Sequence, residues 1–401
     1  MTAGDGDDDV VTRYLELGLR LGRHIDGLVD AYFGPPDLAR RVEAEPVLAP
    51  ARLADDARRL LADLQSSADL DPARRRWLGA QANGLRQTAA RLAGAAVAYS
   101  DEVEACYGVR PRWADEDELA DVHRRLDEAL PGSGPLAERL ISWRERQAVP
   151  VDRLGAAVQS MADDLRERTQ RMFGLPEGEH VDFELVTGKP WSGFNHYLGD
   201  LRSKVSINTD LPVLSPSLVH LVAHEAYPGH HTEHSRKEAG LVRRRRQLEE
   251  TIFLVGTPQC LLAEGLADLA IEVAVSPDPA DQAAMTAAHV RPLGIPFDEE
   301  VTTVVGRAGE GLSGVRGNVA LLLHERGGTI DEGVAYAERW ALLSRPRAEK
   351  LVEFLTDETW RAYTTCYVEG LPLCRSFVAG DPSRFERLLT EQLIPADLVS
   401  A

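Results

Sequence analysis

The pattern of apolar and polar residues along the chain predicts mainly helices. From Val10 to Phe33, apolar side chains recur at helical spacing, and this run stops at Gly34 and two prolines. Amphipathic segments parted by short Pro, Gly and Asp stretches cover about 51–66, 71–100, 115–130, 134–149 and 151–173. Residues 1–174 are therefore predicted to form an antiparallel helical layer, which makes one wall of a cleft.

The pattern changes after Gly174 and predicts a small antiparallel β element. Residues 180–186 and 203–208 alternate with a period of two, as half-buried strands do, and the aromatic segment 191–197 separates them. The second strand is a candidate edge for pairing with an extended substrate. A structural hairpin that packs the following helix is an equally weighted alternative.

Helical periodicity returns from about Pro216, so the predicted fold class is mainly α, with the β element next to a metal-binding helix. Residues 175–401 are predicted to form the region that carries the chemistry. Its further helices are expected at about 241–253, from 258, and at 278–290, 297–310, 314–326, 330–343, 346–355, 357–369 and 382–392.

The density of histidines indicates a metal site. Six of the eleven histidines lie between His196 and His234. His224 and Glu225, followed by a histidine pair, resemble the H-E-x-x-H arrangement of zinc hydrolases. In that arrangement two neutral imidazoles hold the ion, and the Glu acts as the general base on water.

Two histidines compete for the place of the second ligand, His230 and His231. Pro228 cannot donate a hydrogen bond to the carbonyl four residues earlier, so the helix must kink or bulge there. A bulge brings His230 round, whereas a nearly continuous helix keeps His231 on the face of His224. Gly229 has no Cβ and lets the backbone crowd close just before His230, which favours that residue.

A later helix offers the third ligand. Glu264 and Asp268 lie four residues apart on one helical face. Glu264 would ligate the ion, and Asp268 would accept a hydrogen bond from a ligand histidine and fix its tautomer. Two imidazoles, one carboxylate and an open position suit a catalytic Zn²⁺ ion. The alternative is a surface histidine cluster beside an unrelated acidic helix.

These segments resemble a bacterial family named Domain of Unknown Function 885. The resemblance is carried by residues 208–210, by His-Glu-Ala-Tyr-Pro-Gly-His-His at 224–231, and by 264–272 and 366–373. It is strongest from about residue 190 to 275. The family is similar to the gluzincin metallopeptidases, whose zinc is held by two His and a Glu. The resemblance implies a zinc hydrolase fold and supplies no substrate. Leu266 and Leu269 stand where the family has aromatic residues.

A late Tyr and Arg complete the candidate site. Tyr367 and Arg375 are eight residues apart and could share a face of a helix bent at Pro372. A phenol can stabilise the oxyanion of a tetrahedral intermediate, and a guanidinium can hold a substrate carboxylate, as a carboxypeptidase would need. A packed Tyr and a surface Arg are the alternative.

Composition and net charge limit the classes of partner that the chain is expected to bind. The formal net charge of −19 disfavours nucleic acid and anionic membranes as partners. The expected partner is the peptide or small amide substrate of the predicted metallohydrolase. The arginines at 243–246 are expected to pair with Glu249 and Glu250. No apolar run approaches the roughly 20 residues of a membrane span, and no signal peptide is recognisable. Four scattered cysteines suggest a reducing cytoplasm.

The leading prediction is a zinc-dependent hydrolase of the peptidase type, with Glu225 as general base. A related alternative is a metal-dependent hydrolase of a small-molecule amide. A carboxylate-bridged di-iron protein would need two Glu-x-x-His repeats, and the sequence has no clear second copy. A scaffold with a structural metal fits poorly, because such sites close with four protein ligands and have no use for Glu225.

Overall fold

The structure is a computed structural model of the chain and describes residues 5–67, 70–189, 191–309, 311–357 and 360–399. Helices dominate it, so the predicted fold class, mainly α, is confirmed. In chain order the helices are α1 Asp5–Gly22, α2 Pro36–Ala44, α3 Pro50–Ser66, α4 Pro72–Leu92, α5 Tyr99–Tyr107, α6 Glu116–Ala129, α7 Leu136–Arg146, α8 Val151–Phe173, α9 Leu218–Glu225, α10 His230–Lys237, α11 Pro258–Ala274, α12 Pro279–Val290, α13 Glu299–Gly309, α14 Gly314–His324, α15 Ile330–Trp340, α16 Arg345–Thr356, α17 Thr364–Val378, α18 Pro382–Thr390 and α19 Pro395–Val399.

Local signals explain where several helices begin. The side chains of Asp71, Asp278 and Asp381 cap α4, α12 and α18 by accepting backbone N–H bonds, and a proline follows each of them. Thr329 and Glu332 form a reciprocal capping box at the start of α15. These contacts satisfy N–H groups that have no partner inside the helix.

Short strands form two small sheets in the described part of the chain. The strands are β1 Val29–Tyr32, β2 His180–Val186, β3 Gly193–Gly199, β4 Arg202–Asn208 and β5 Ile252–Leu254. The larger sheet has the order β2-β4-β3, with β2 parallel and β3 antiparallel to β4. The sequence pattern did not mark β3 as a strand. Because β4 lies between two partners, the hypothesis that it is an open edge for substrate is wrong.

Two predicted helices were also wrong. The helix expected over 10–33 ends at Gly22, and β1 pairs antiparallel with β5 instead. The helix expected over 241–253 is replaced by a π-helix at Glu238–Arg244, a 3-10 turn at Leu248–Thr251 and then β5. Periodicity alone cannot distinguish a short buried strand from a buried helical turn.

The acids that follow the arginine run face inward. Glu249 receives hydrogen bonds from the guanidinium of Arg74 at 2.6 and 2.8 Å, and Arg243 pairs with Glu238. The pairing expected between the 243–246 run and these acids is therefore wrong. The helical segment ends before it reaches Glu249 and Glu250, so their side chains do not face the arginines. Both carboxylates are buried in the protein interior instead.

Helix α11 lies at the centre of the fold. Almost all its residues are buried, and its opposite faces belong to two different hydrophobic core clusters. It packs closely on α17, where a Cβ on Gly265 would lie 2.4 Å from the carbonyl oxygen of Gly370. Helix α9 packs on another side. The core therefore fixes where residues of α11 lie relative to those of α9 and α17.

The two predicted regions, 1–174 and 175–401, share structure. Strand β1 precedes residue 174 and β5 follows it, yet they form one sheet, and residues of α1, α3 and α4 share a core cluster with Ile252 and Leu254. The boundary near 174 stays a prediction. Among the described helices, none combines the length and the apolar character that crossing a membrane would require.

Candidate metal centre

The chain folds back on itself between the two histidines of the site. Helix α9 ends at Glu225, one residue after His224, and α10 begins at His230. The backbone N–H of Gly229 donates to the carbonyl of Ala223 at 2.9 Å. A Cβ on Gly229 would lie 1.9 Å from the carbonyl oxygen of His224, so only glycine fits there. This crowding places the first residue of α10 beside the last turn of α9.

Three side chains converge at this point. Nε2 of His224 and Nε2 of His230 are 3.2 Å apart. Nε2 of His224 lies 3.4 Å from Oε2 of Glu264, which α11 supplies, and Nε2 of His230 lies 3.4 Å from Oε1 of the same carboxylate. Tetrahedral coordination with metal–ligand bonds of about 2.0–2.2 Å separates the ligand atoms by roughly 3.3–3.6 Å. The observed spacing therefore matches the donor atoms of a tetrahedral ion.

Glu264 carries a further sign of a missing partner. Its Oε2 atom is buried and has no hydrogen-bond partner, whereas a buried polar atom normally has one. Although burial favours the protonated acid, the two imidazoles lower the pKa of Glu264 to about 2. The carboxylate is thus ionised and presents a free lone pair. Oxygen and imidazole nitrogen are donors that suit Zn²⁺, so these residues fit the ion.

Asp268 orients the first histidine. Nδ1 of His224 donates to Oδ1 of Asp268 at 2.9 Å, which leaves Nε2 of the same ring facing Glu264. Burial opposes the charged ring, but the hydrogen bonds that it donates to the carboxylates of Asp268 and Glu264 outweigh this and raise the pKa of His224. His220, which is exposed, lies 3.5 Å from the same Asp268 oxygen. His220, His224 and Asp268 form a second possible ligand group, but Nδ1 of His224 is already committed to Asp268.

Glu225 lies at the edge of the group. It is buried, its backbone carbonyl accepts a 2.6 Å hydrogen bond from the Asn195 side chain, and its Oε1 would lie 2.8 Å from a Cβ on Gly193. Strand β3 thus holds this turn in place and leaves room for the carboxylate. Burial raises the pKa of Glu225, and the charges of His224 and His230 oppose this rise in part.

The structure separates His231 from the group. Its Nδ1 lies 2.8 Å from Oγ of Ser203 and its Nε2 lies 2.8 Å from Oε2 of Glu179. The ring is fully buried, and both of its nitrogens are taken. The inclusion of His231 among the candidate ligands is therefore corrected. One residue along a helix turns the side chain by about 100°, which carries it away from His224.

The structure also separates the predicted pair on α17. Tyr367 lies beside Tyr363 with ring centroids 5.3 Å apart, on the side of Glu264. Arg375 is held by Glu272, with Nε 3.1 Å from Oε2. Glu272 is eight residues past Glu264 on α11, roughly 12 Å along the helix. The expectation that Arg375 faces the metal is therefore corrected, whereas Tyr367 stays near the site.

Two residues near the site were missed. The hydroxyl of Tyr363 donates to Oε1 of Glu264 at 2.7 Å. Tyr363 lies four residues before Tyr367, and this spacing could have identified it as a second candidate. Asp30 lies where the pairing of β1 and β5 is irregular, and burial raises its pKa to about 7. The charges of His230 and Glu264 act on Asp30, yet no signal in the sequence pointed to it.

Comparisons with known proteins show the fold alone. No family model matches the chain, and no curated protein matches it. A solved structure described as a "putative lipoprotein from Colwellia psychrerythraea" superposes with a TM-score of 0.53 at 14% identity, covering 87% of this chain and 65% of that one. A second, a "putative lipoprotein of unknown function from Shewanella oneidensis", has a TM-score of 0.49 and 13% identity, covering 90% and 74%. The chain thus spans about 65% of the length of the Colwellia protein.

Proposed function

We propose that this protein is a zinc-dependent hydrolase that cleaves amide bonds of the peptide type. The observation that carries the proposal is the convergence of His224, His230 and Glu264 at 3.2–3.4 Å, with one buried carboxylate oxygen left unpartnered. The resemblance to Domain of Unknown Function 885 and through it to the gluzincins points to the same chemistry.

The number of donors supports a catalytic rather than a structural ion. The described residues bring three protein ligands together here, His224, His230 and Glu264. Structural zinc sites close with four protein ligands, whereas catalytic sites keep one position open. Bound zinc would supply Lewis acidity, which polarises the substrate carbonyl and makes a nearby water more acidic.

The remaining steps belong to the protein. Glu225 follows a ligand histidine directly, so its side chain points about 100° away from that imidazole, towards the open side of the group. Its carboxylate accepts a proton from the attacking water and passes it to the leaving amine. Burial raises the pKa of Glu225, which makes it a better proton acceptor. Asp268 holds the tautomer of His224, and Tyr363 holds Oε1 of Glu264.

Metal analysis and three Glu→Gln variants test the proposal. Purified protein should carry about one equivalent of zinc. Glu264→Gln should lose most of it, whereas Glu272→Gln, a matched change two turns later on α11, should keep it. Glu225→Gln should fold and bind zinc normally, yet lose hydrolysis by roughly 10²–10⁴-fold on any short peptide that the wild type cleaves.

Two results would overturn the assignment. Full zinc occupancy in Glu264→Gln would show that Glu264 is not a zinc ligand. Near wild-type turnover by Glu225→Gln would show that Glu225 is not the general base, even if zinc is bound. A screen of short peptides and acylated amines must precede the kinetic comparison.

A further inference from the structure

One arginine near the candidate site contacts an aromatic ring but no acid among the residues that the structure describes. The guanidinium carbon of Arg316, on the first turn of α14, lies 5.1 Å from the ring centroid of Tyr367. The residue is partly buried. In the part of the chain that the structure describes, its guanidinium makes no hydrogen bond or ion pair. The chain has 64 acidic and 45 basic side chains, so an unpaired, half-buried arginine needs an explanation.

Aromatic contacts connect Arg316 to the metal centre. Tyr367 lies under the guanidinium, and its ring centroid is 5.3 Å from that of Tyr363. The Tyr363 hydroxyl in turn donates to Oε1 of Glu264 at 2.7 Å. These contacts place Arg316 within roughly four extended residues of the centre. Arg316 is therefore close enough to contact a group about four residues from a bond that reacts at the centre.

The side chains of Arg316 and Tyr367 are suited to binding an anion. A guanidinium binds a carboxylate through two parallel N–H bonds, and stacking on an aromatic ring leaves those N–H groups free at the edge of its plane. Burial, together with the charge of Glu264, raises the pKa of Tyr367, so its hydroxyl stays protonated and can donate as well. By contrast, Arg375 is already neutralised by Glu272.

We propose that Arg316, assisted by the Tyr367 hydroxyl, binds a free carboxylate of the substrate. The substrate class is then peptides or acylated amino acids whose carboxylate lies within about four residues of the scissile bond. The inference rests on the proposed hydrolase function and specifies its substrate.

Paired substrates test this directly. N-acetylated alanine peptides of two to five residues are compared as free acids and as C-terminal amides. The wild type should prefer the acid at one or two lengths, by on the order of 10- to 100-fold in kcat/KM, because an ionic hydrogen bond is lost in the amide. Arg316→Gln should abolish the preference mainly through KM, and Arg316→Lys should restore part of it. Arg375→Gln is the matched control and should keep the preference.

A binding measurement separates this inference from the hydrolase assignment. In Glu225→Gln, calorimetry should show tighter binding of the acid than of the amide, and adding Arg316→Gln should remove that difference. If the wild type cleaves none of the peptides but this binding difference is present, the hydrolase assignment fails and the carboxylate site stands. Equal binding of acid and amide, no binding of either, or loss of the preference in Arg375→Gln as well would overturn the inference.

Discussion

The two adjacent histidines show how much one residue position decides. His230 points Nε2 at His224 and Glu264, whereas His231 uses both nitrogens in hydrogen bonds to Ser203 and Glu179. Burial lowers the pKa of His231, so its ring stays neutral inside the core. The first residue is available to an ion, and the second joins β4 and α10.

Alanine at each position should therefore have opposite effects. His230→Ala should lose most of the zinc and keep near wild-type stability. His231→Ala should keep zinc but lower the free energy of unfolding by about 2–4 kcal/mol, because it leaves a cavity, removes the partner of the Ser203 hydroxyl and takes one of several hydrogen bonds from buried Glu179. Zinc content and urea denaturation of both variants measure this. Zinc loss in His231→Ala with full zinc in His230→Ala would mean that the fold-back has been misread.

Tyr363 offers a finer test at the residue scale. Its hydroxyl holds the Oε1 atom of Glu264, so Tyr363→Phe removes one hydrogen bond and keeps the ring. Outer partners of ligating groups typically contribute 10- to 100-fold to metal affinity. We expect zinc affinity, measured by chelator competition, to fall within about that range. Tyr32→Phe, which removes a surface hydroxyl bonded to the Pro35 carbonyl, is the control and should leave zinc affinity unchanged.

At the scale of elements, the crossing of α11 and α17 determines where Glu264 lies. The two helices approach so closely that a Cβ on Gly265 would lie 2.4 Å from the carbonyl oxygen of Gly370 and 2.8 Å from Sγ of Cys374. Backbone atoms cannot move aside as a side chain can. Gly265 is the residue after Glu264, so any separation of these helices moves the carboxylate.

We predict that Gly265→Ala destabilises the protein by about 1–3 kcal/mol, the usual range for overpacking a core, and weakens zinc binding. Gly155→Ala provides the control, because Gly155 lies inside α8 and a Cβ there meets nothing within 4 Å. That change should be neutral or stabilise by up to about 1 kcal/mol. Equal stability of the two variants in urea would contradict the close crossing.

At the scale of the whole molecule, a buried polar cluster joins distant parts of the chain. Glu250 accepts hydrogen bonds from Gln259 at 3.2 Å and Gln392 at 2.9 Å. The nearby ammonium of Lys237 is paired with Glu233 at 2.7 Å. Glu250 therefore has neutral donors and no cation of its own. Burial raises its pKa from 4.5 to about 7.

This raised pKa predicts a pH dependence of stability. The native state binds the Glu250 proton more tightly than the unfolded chain, so the stabilisation is full below about pH 4.5 and is lost as the pH rises to about 7. The loss is on the order of 3 kcal/mol. Glu250→Gln keeps the shape and cannot ionise. The difference in unfolding free energy between variant and wild type should therefore grow in favour of the variant from pH 5 to pH 8. A constant difference would contradict the shift.

The sequence by itself determined the local features. Helical periodicity predicted most helices, because a repeat of 3.6 residues leaves a direct trace in the order of apolar side chains. The positions of Glu264 and Asp268 on one face follow from their spacing of four. Crowding at Gly229 was predicted in the same way, because Pro228 must break the helix whatever surrounds it.

Only the tertiary structure decided which distant residues meet. The fold-back brings His230, not His231, to His224, and Tyr363 reaches Glu264 across 99 positions of sequence. Strand β4 is central rather than an edge, Arg375 is bound by Glu272, and Arg316 lies over the ring of Tyr367 with no acidic partner among the described residues. Local sequence marks some of these residues, as Gly229 does for His230, but it does not specify their distant partners. These outcomes depend on how closely α11, α14 and α17 pack, and that packing is a property of the whole core rather than of any one segment.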